Sequence, residues 1–226
     1  MNIPKPRRKL RMLVACEYSG TVRDAFARLG WDAWSCDIIP SEAGGKHLVG
    51  NVLNFLDDNW DLMVAHPPCT YLSYVGLRHW NNPGRAFKRE GAFRFFMALA
   101  NCSIPRICIE NPRGLPCKKY RKPDQVVEPY YFGDSAKKLT CIWLKNLPPL
   151  QHSQEEDFFI GKTGVEKPAP LYFTKTKGKA IHFTEGFKGE KDRGRGRSRF
   201  WNGIANAMAK QWTEYIYERT PEANLS

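Results

Sequence analysis

The sequence predicts a doubly wound α/β domain on a mostly parallel sheet. Two observations predict it. Short apolar runs alternate with stretches at helical spacing over residues 11–112. The order strand, turn, helix, strand also fits within roughly 30 residues, the span of a βαβ unit, which makes the joined strands parallel.

The elements follow in chain order. "MNIPKPRRKLRMLVAC" is basic, its apolar stretch is short, and it has no small-residue cleavage site. It reads as an exposed arm entering a first strand, not as a signal peptide. "RMLVACE" (11–17) is that strand. "SGTVRDAFARLGW" (19–31) is a turn and helix with Val22, Ala25, Phe26 and Leu29 at helical spacing, ended by Gly30. "DAWSCDI" (32–38) and "DLMVA" (61–65) are the second and third strands. "RAFKREGAFRFFMALANC" (85–102) is a helix whose apolar face includes Phe93, Phe96, Met97 and Ala100. "RICIE" (106–110) and "LTCIWL" (139–144) are further strands. Residues 146–198 are rich in Gly, Pro, Lys and Arg, with only short strand-like pieces ("PLYFT", "AIHFT"), and read as a small insertion. "FWNGIANAMAKQWTEYIYER" (200–219) is a closing helix with Ile204, Ala207, Met208, Trp212 and Tyr215 on one side. The expected organisation is a main domain over 1–145, an insertion over 146–198 and a C-terminal helix over 199–226 packing back.

Composition narrows the function classes. The chain has 226 residues, 42% hydrophobic and 26% charged, an ordinary soluble profile. No apolar run approaches the roughly 18–20 residues that span a bilayer, so no membrane role and a cytoplasmic location are expected. Net charge is +12, with a pI near 9.4. Such a surplus suits a polyanion, nucleic acid first, although solubility alone would also account for it. The seven cysteines (16, 36, 69, 102, 108, 117, 141) are odd in number and include no C-x-x-C. The histidines (47, 66, 79, 152, 182) show no ligand spacing. Neither a zinc site nor a disulfide framework is expected.

Ligands of open α/β sheets bind at the carboxyl ends of the strands. Three segments reach that edge. In "CEYSG", Gly20 at a helix start lets a ligand approach the backbone, and Asp37 at the end of the next strand can hold ribose hydroxyls. An ordinary structural turn fits that segment equally well. In "HPPC", Pro67 and Pro68 stiffen the loop and set where Cys69 points. Arg78, His79, Arg85, Lys88 and Arg89 follow, and positive surroundings make a thiolate nucleophilic. The competing reading is a buried cysteine on a tight turn. In "ENPRG", Glu110 at a strand end can pair with a heterocyclic nitrogen, or simply cap a helix. A cysteine after Pro-Pro and a Glu-Asn-Pro about 40 residues on, in one scaffold, are more specific together than either alone.

Here the chain resembles the DNA cytosine-5 methyltransferases, nearest to the compact versions of phages and prophages. That family carries its nucleophile in Pro-Cys and its acidic partner in Glu-Asn-Val; this chain has "PPC" at 67–69 and "ENP" at 110–112. "ACEYSGTVRDAF" resembles the cofactor loop and helix, Asp37 the ribose-binding acid, "GNV" (50–52) the adenine-contacting segment, and "RSRFWNGIANAMAKQW" the final motif. The resemblance covers most of the chain outside about 146–195 and follows the family's motif order. It departs from the pattern at Tyr18 (usually Gly), Asn51 (usually Asp), Pro112 (usually Val) and in lacking Gln-x-Arg-x-Arg, for which "GDSAKKLTCIWL" is the nearest match through Lys137 or Lys138.

The resemblance implies a Rossmann-like catalytic domain, a DNA-recognition insertion, and double-stranded DNA as partner to a monomer without metal. Cys69 attacks carbon 6 of a flipped cytosine, Glu110 contacts N3, and Asn111 and Pro68 support them. S-adenosyl-L-methionine lies across Glu17, Tyr18, Ser19, Gly20, Asp37, Ile38, Asn51, Val52, Pro67 and Asn202. Ser73, Arg78, Trp80, Arg113, Lys137, Arg195 and Arg197 contact nucleic acid. Two alternatives stand beside this. One is a DNA-binding relative with little catalysis, motivated by Tyr18 and Asn51. The other is a cytosine-5 enzyme that acts on RNA or moves a different one-carbon group.

Overall fold

Strand β1 (Arg11–Ala15) sends alternate side chains into two cores. Met12 and Val14 enter one, Leu13 and Ala15 the other. The same alternation holds in β4 (Leu62–Ala65), where Leu62 and Val64 oppose Met63 and Ala65. A sheet with both faces covered needs strands that are apolar throughout, and these are. The computed structural model describes residues 8–74, 79–152, 156–157, 162–163, 168–169, 172–173, 180–181 and 200–219.

Among the described residues, a seven-stranded sheet has the order β3-β2-β1-β4-β5-β7-β6. Its other strands are β2 (Asp32–Asp37), β3 (His47–Val49), β5 (Ile107–Asn111), β6 (Gln125–Val127) and β7 (Thr140–Lys145). β1 to β5 run parallel to one another. β7 alone runs against its neighbours β5 and β6. Helices α1 (Thr21–Arg28) and α4 (Asn202–Arg219) cover one face. α2 (Arg85–Ala100) and the short α3 (Pro116–Lys119) lie on the other. This is a Rossmann-like doubly wound α/β fold, as the alternation of elements predicts. Antiparallel pairs Glu156–Asp157 with Lys162–Thr163 and Tyr172–Phe173 with Ala180–Ile181 fall within residues 146–198. The last pair falls on the strand-like pieces noted in the sequence.

Some details differ from the sequence reading. β3 and β6 were not expected: they are three-residue edge strands, too short for a periodic signal. The helices are shorter than their apolar periodicity. Leu29 caps α1 and is 44% exposed rather than on its buried face. In α2 the fully buried residues are Phe96 and Leu99, with Phe93, Met97 and Ala100 only partly covered. In α4 the buried stripe is Ile204, Ala205, Met208, Ala209, Trp212, Thr213 and Ile216, flanked by half-buried Ala207 and Tyr215. α4 docks on α1 through Trp31 Nε1, which donates to Thr213 Oγ1 at 2.9 Å. Residues 147–151 also lie on α4: Leu147 and Leu150 enter its core, and Pro148 O accepts from Trp212 Nε1 at 3.0 Å. Among the described residues, no helix is long and apolar enough to cross a membrane, and no metal-ligating group of side chains occurs.

Candidate functional site

Because β1 to β5 are parallel, their carboxyl ends share one edge, and the three segments singled out in the sequence meet there. Cys16 ends β1 with φ 61, a left-handed conformation uncommon for a residue with Cβ. The turn redirects the chain so that Glu17 faces back onto α1. Its Oε1 accepts the Val22 N–H at 2.7 Å and its Oε2 the Arg23 N–H at 3.3 Å. Glu17 therefore satisfies donors at the N-terminus of α1. Burial nevertheless raises its pKa, against the opposing charges of His66 and Arg23 and the two backbone donors.

The loop beyond is stitched to its neighbours. Glu42 N–H donates to Tyr18 O at 2.9 Å, Ser41 Oγ to Tyr18 O at 3.0 Å, and Gly50 N–H to Asp37 O at 2.8 Å. Segments 17–20, 37–42 and 50–52 thus form one continuous rim. On it Gly20 has φ 76, and a Cβ there would overlap the Arg23 guanidinium. Arg23 is almost fully buried and also reaches Ser35 Oγ at 3.1 Å and Gly44 O. Tyr18 is buried and Ser19 half-buried. Asp37 is half-buried, its Oδ1 accepting Ile39 N–H at 3.3 Å. Ile38 is 78% exposed. Asn51 is exposed and caps a 3₁₀ turn over Val52–Phe55 through Oδ1 and Leu53 N–H at 3.1 Å. The Val52 side chain is in the core, so only its backbone faces the rim.

The second and third segments are bound to each other. The His66 backbone N–H extends the sheet by donating to Ala15 O at 2.9 Å. Its Nδ1 lies 3.1 Å from Glu110 Oε2 at the end of β5. Asn111 Nδ2 donates to Pro67 O at 2.7 Å in a buried contact. Leu115 N–H donates to Leu72 O at 2.8 Å, Tyr74 N–H to Arg113 O at 3.2 Å, and Ser73 bridges Gly114. Within the loop the Cys69 carbonyl accepts from Leu72 and Ser73, closing a turn. Pro67 is buried; Pro68 and Cys69 are exposed, and Cys69 is in no disulfide. The result is an exposed cysteine on a braced turn, tied through Asn111 to the strand end that carries buried Glu110.

Burial pushes the Glu110 carboxyl up, but the His66 hydrogen bond and the Lys138 charge outweigh it, so its pKa lies below the usual glutamate value. Buried Glu110 Oε1, His66 Nε2 and Asn111 Oδ1 have no hydrogen-bond partner among the described residues. Such atoms are costly unless something else completes them. Burial, Asp37 and Cys36 raise Cys16 to about 12, and burial followed by Cys117 raises Cys141 to about 12.

Basic and aromatic side chains flank the turn. Arg85 and Lys88 lie 5.0 and 5.9 Å from the Tyr71 ring centroid, and Arg89 lies 3.8 Å from that of Trp80. Arg85 also donates to Thr70 O at 3.1 Å. The first turn of α2 holds no acidic residue, although the helix dipole favours one there. Phe87 beside it is 78% exposed. Of the sequence-chosen nucleic-acid residues, Trp80 belongs to this group. Arg113 is exposed, Lys137 half-buried, and Ser73 buried at the bridge. Arg78, Arg195 and Arg197 lie outside the described residues. Of the two lysines weighed in the sequence, Lys138 is the one whose charge acts on Glu110. Asn202 is exposed at the start of α4, and Phe200 just before it packs 4.5 Å from the His66 ring.

The sequence reading missed His66 and Arg23. Glu110 is 44 residues from His66 along the chain, so spacing carried no signal for the pair. Arg23 sits between apolar helix positions, and only the small residues Ser35, Ser41 and Gly44 hinted at room for it.

No family model matches this chain, and no curated protein matches it. Two solved structures are similar to it in part. One, from E. coli, is described as a provisionally assigned DNA modification methyltransferase encoded within a prophage: 15% identity, TM-score 0.41, covering 60% of this chain and 46% of that one. The other is the methyltransferase EhMeth of Entamoeba histolytica: 16% identity, TM-score 0.43, covering 72% of this chain and 58% of that one. The chain thus spans about half the length of the solved structures it matches, and likeness at this level assigns no activity.

Proposed function

We propose that this chain is an S-adenosyl-L-methionine-dependent DNA (cytosine-5-)-methyltransferase. One observation carries the reading. The exposed thiol of Cys69 stands on a turn that Asn111 ties, at 2.7 Å, to the strand end bearing Glu110. A nucleophile and an acid on two neighbouring strand ends suit addition to a pyrimidine.

Cys69, as thiolate, attacks carbon 6 of a cytosine turned out of its duplex, at a cost of a few kcal/mol in lost stacking and pairing. Glu110 contacts N3 and the exocyclic amine and offsets the charge that develops there. Carbon 5, made nucleophilic by that addition, takes a methyl group; a base then removes the carbon-5 proton and the thiolate leaves. Tyr71, Trp80 and the basic residues of α2 suit phosphate contact and base stacking near the open helix.

The rim fits the cofactor. Ile38 offers an exposed apolar surface at the carboxyl edge, Asp37 a carboxylate for hydroxyl groups, and Gly20 a backbone that a ligand can approach. The resemblance adds Glu17, Tyr18, Ser19, Asn51, Val52, Pro67 and Asn202 to the residues that contact the cofactor. S-adenosyl-L-methionine bound there supplies an electrophilic methyl group.

The test uses duplex DNA with 5-fluorocytosine, whose fluorine blocks the final elimination. With S-adenosyl-L-methionine, the wild type is expected to form a persistent covalent adduct and Cys69→Ser none. Equal behaviour of the two overturns the assignment of Cys69. Stronger trapping on single-stranded RNA reassigns the substrate, and no calorimetric binding at millimolar cofactor favours a silent DNA-binding relative.

A further inference from the structure

The His66–Glu110 pair goes beyond what the proposed mechanism uses, although it rests on that reading. Glu110 is buried and His66 largely covered at the carboxyl edge between β1 and β5. The imidazole is fixed from three sides. Its backbone is bonded to Ala15 O, Pro67 follows it directly, and Phe200 packs on the ring at 4.5 Å. Glu110 is fixed by its place as the penultimate residue of β5, in register opposite Ile142 of β7. The sheet thus holds the backbone of both residues, and Phe200 backs the imidazole. Their 3.1 Å contact is therefore built in.

The contact has a chemical consequence. A carboxylate oxygen accepts, so the Nδ1 facing Oε2 carries the hydrogen; Oε1 makes no geometric hydrogen bond among the described residues, although the nearby Thr140 side chain also favours the carboxylate. When the carboxyl carries a proton, that proton sits on Oε1, because Oε2 already accepts from nitrogen. As the Cys69 Sγ–carbon 6 bond forms, the ring's electron pair shifts toward N3. His66 and Lys138 hold the free carboxyl ionised, so Oε1 takes up a proton from solvent as the pyrimidine binds; that proton passes to N3, and a carboxylate remains. The Nδ1–H bond to Oε2 stabilises that carboxylate as it forms.

We infer that His66 is a positioning residue for this reaction, which aims Glu110 Oε1 at the pyrimidine and stabilises the carboxylate left when N3 takes its proton.

Three variants test this against duplex DNA: His66→Phe, His66→Asn and His66→Gln. An Asn amide reproduces the Nδ1 donor, whereas a Gln amide reaches the Nε2 position. His66→Phe is expected to lose about 10- to 100-fold in kcat, with KM for DNA within about twofold. His66→Asn should recover most of that loss and His66→Gln little. A role in folding alone would move Asn and Gln together, so that pair decides even where the Phe variant does not fold. In the nitrogen-15 NMR spectrum, the His66 Nδ1–H signal of the wild type should shift in Glu110→Gln.

An active wild type with His66→Asn and His66→Gln equally active, or equally impaired, overturns the role of His66 alone. An unmoved Nδ1–H signal does the same. A wild type that neither traps 5-fluorocytosine nor methylates overturns the reading beneath it, and the role of His66 with it.

Discussion

Asn111 Nδ2 donates a 2.7 Å hydrogen bond to Pro67 O, and both residues are buried. This one bond joins the "ENP" segment to the "PPC" segment. It also explains why a proline stands at 67: a rigid ring holds the carbonyl where a side chain from the neighbouring strand can find it. The two motifs are one physical unit.

Asn111→Ala is expected to cost about 1–3 kcal/mol of stability, because the Pro67 carbonyl is left buried without its donor. Asn111→Asp replaces the donor with an acceptor and should cost more. Urea midpoints at constant slope measure both. Adduct formation by Cys69 should fall in parallel, as its turn loses one anchor. A midpoint within error of wild type would show that water fills the gap.

Gly114→Ala should disrupt the same region from the other side. A Cβ there would overlap Leu72 O, which accepts the Leu115 N–H at 2.8 Å. The obstacle is backbone, so no rotamer change relieves it. We expect a loss above about 2 kcal/mol. Protection of the Leu115 amide from hydrogen exchange should fall as well. An unchanged exchange rate would contradict this contact.

Glu110 makes stability depend on pH with a defined sign. Its folded pKa is lowered from the ordinary 4.5: burial works against the shift, but His66 and Lys138 prevail. A depressed carboxylate stabilises the fold above its unfolded pKa, and the contribution fades as pH falls through the folded value. The wild type should therefore lose more stability between pH 7 and pH 3 than Glu110→Gln does. Parallel curves for the two proteins would contradict the direction of the shift.

The basic face of α2 should carry part of any affinity for DNA. Lys88 is exposed and Arg85 half-buried beside Tyr71. Each Lys88→Ala or Arg85→Ala change should weaken duplex binding several-fold. If each contacts one phosphate, each should make the plot of log K against log salt shallower by about 0.9. Unaltered slopes in both variants would place the polyanion on another face.

Much of this molecule was legible before any coordinates. The strands "RMLVA", "LMVA" and "ICIE" are short apolar runs bounded by polar residues, and their neighbours read as helices. Parallel order then follows, and with it a common edge for "CEYSG", "HPPC" and "ENPRG". The three-residue strands β3 and β6 were not legible, since so few residues carry no period. Lys137 and Lys138 are adjacent and alike in sequence, and nothing there marks Lys138 as a charge that acts on Glu110.

The sequence by itself determined the sheet, its direction and the edge where chemistry gathers, because periodicity and chain order are local properties. The tertiary structure alone decided which atoms face each other there: His66 with Glu110, Asn111 with Pro67, Arg23 beneath Gly20. Each pairing depends on register and side-chain direction between segments distant in the chain, and residue order does not encode that separation.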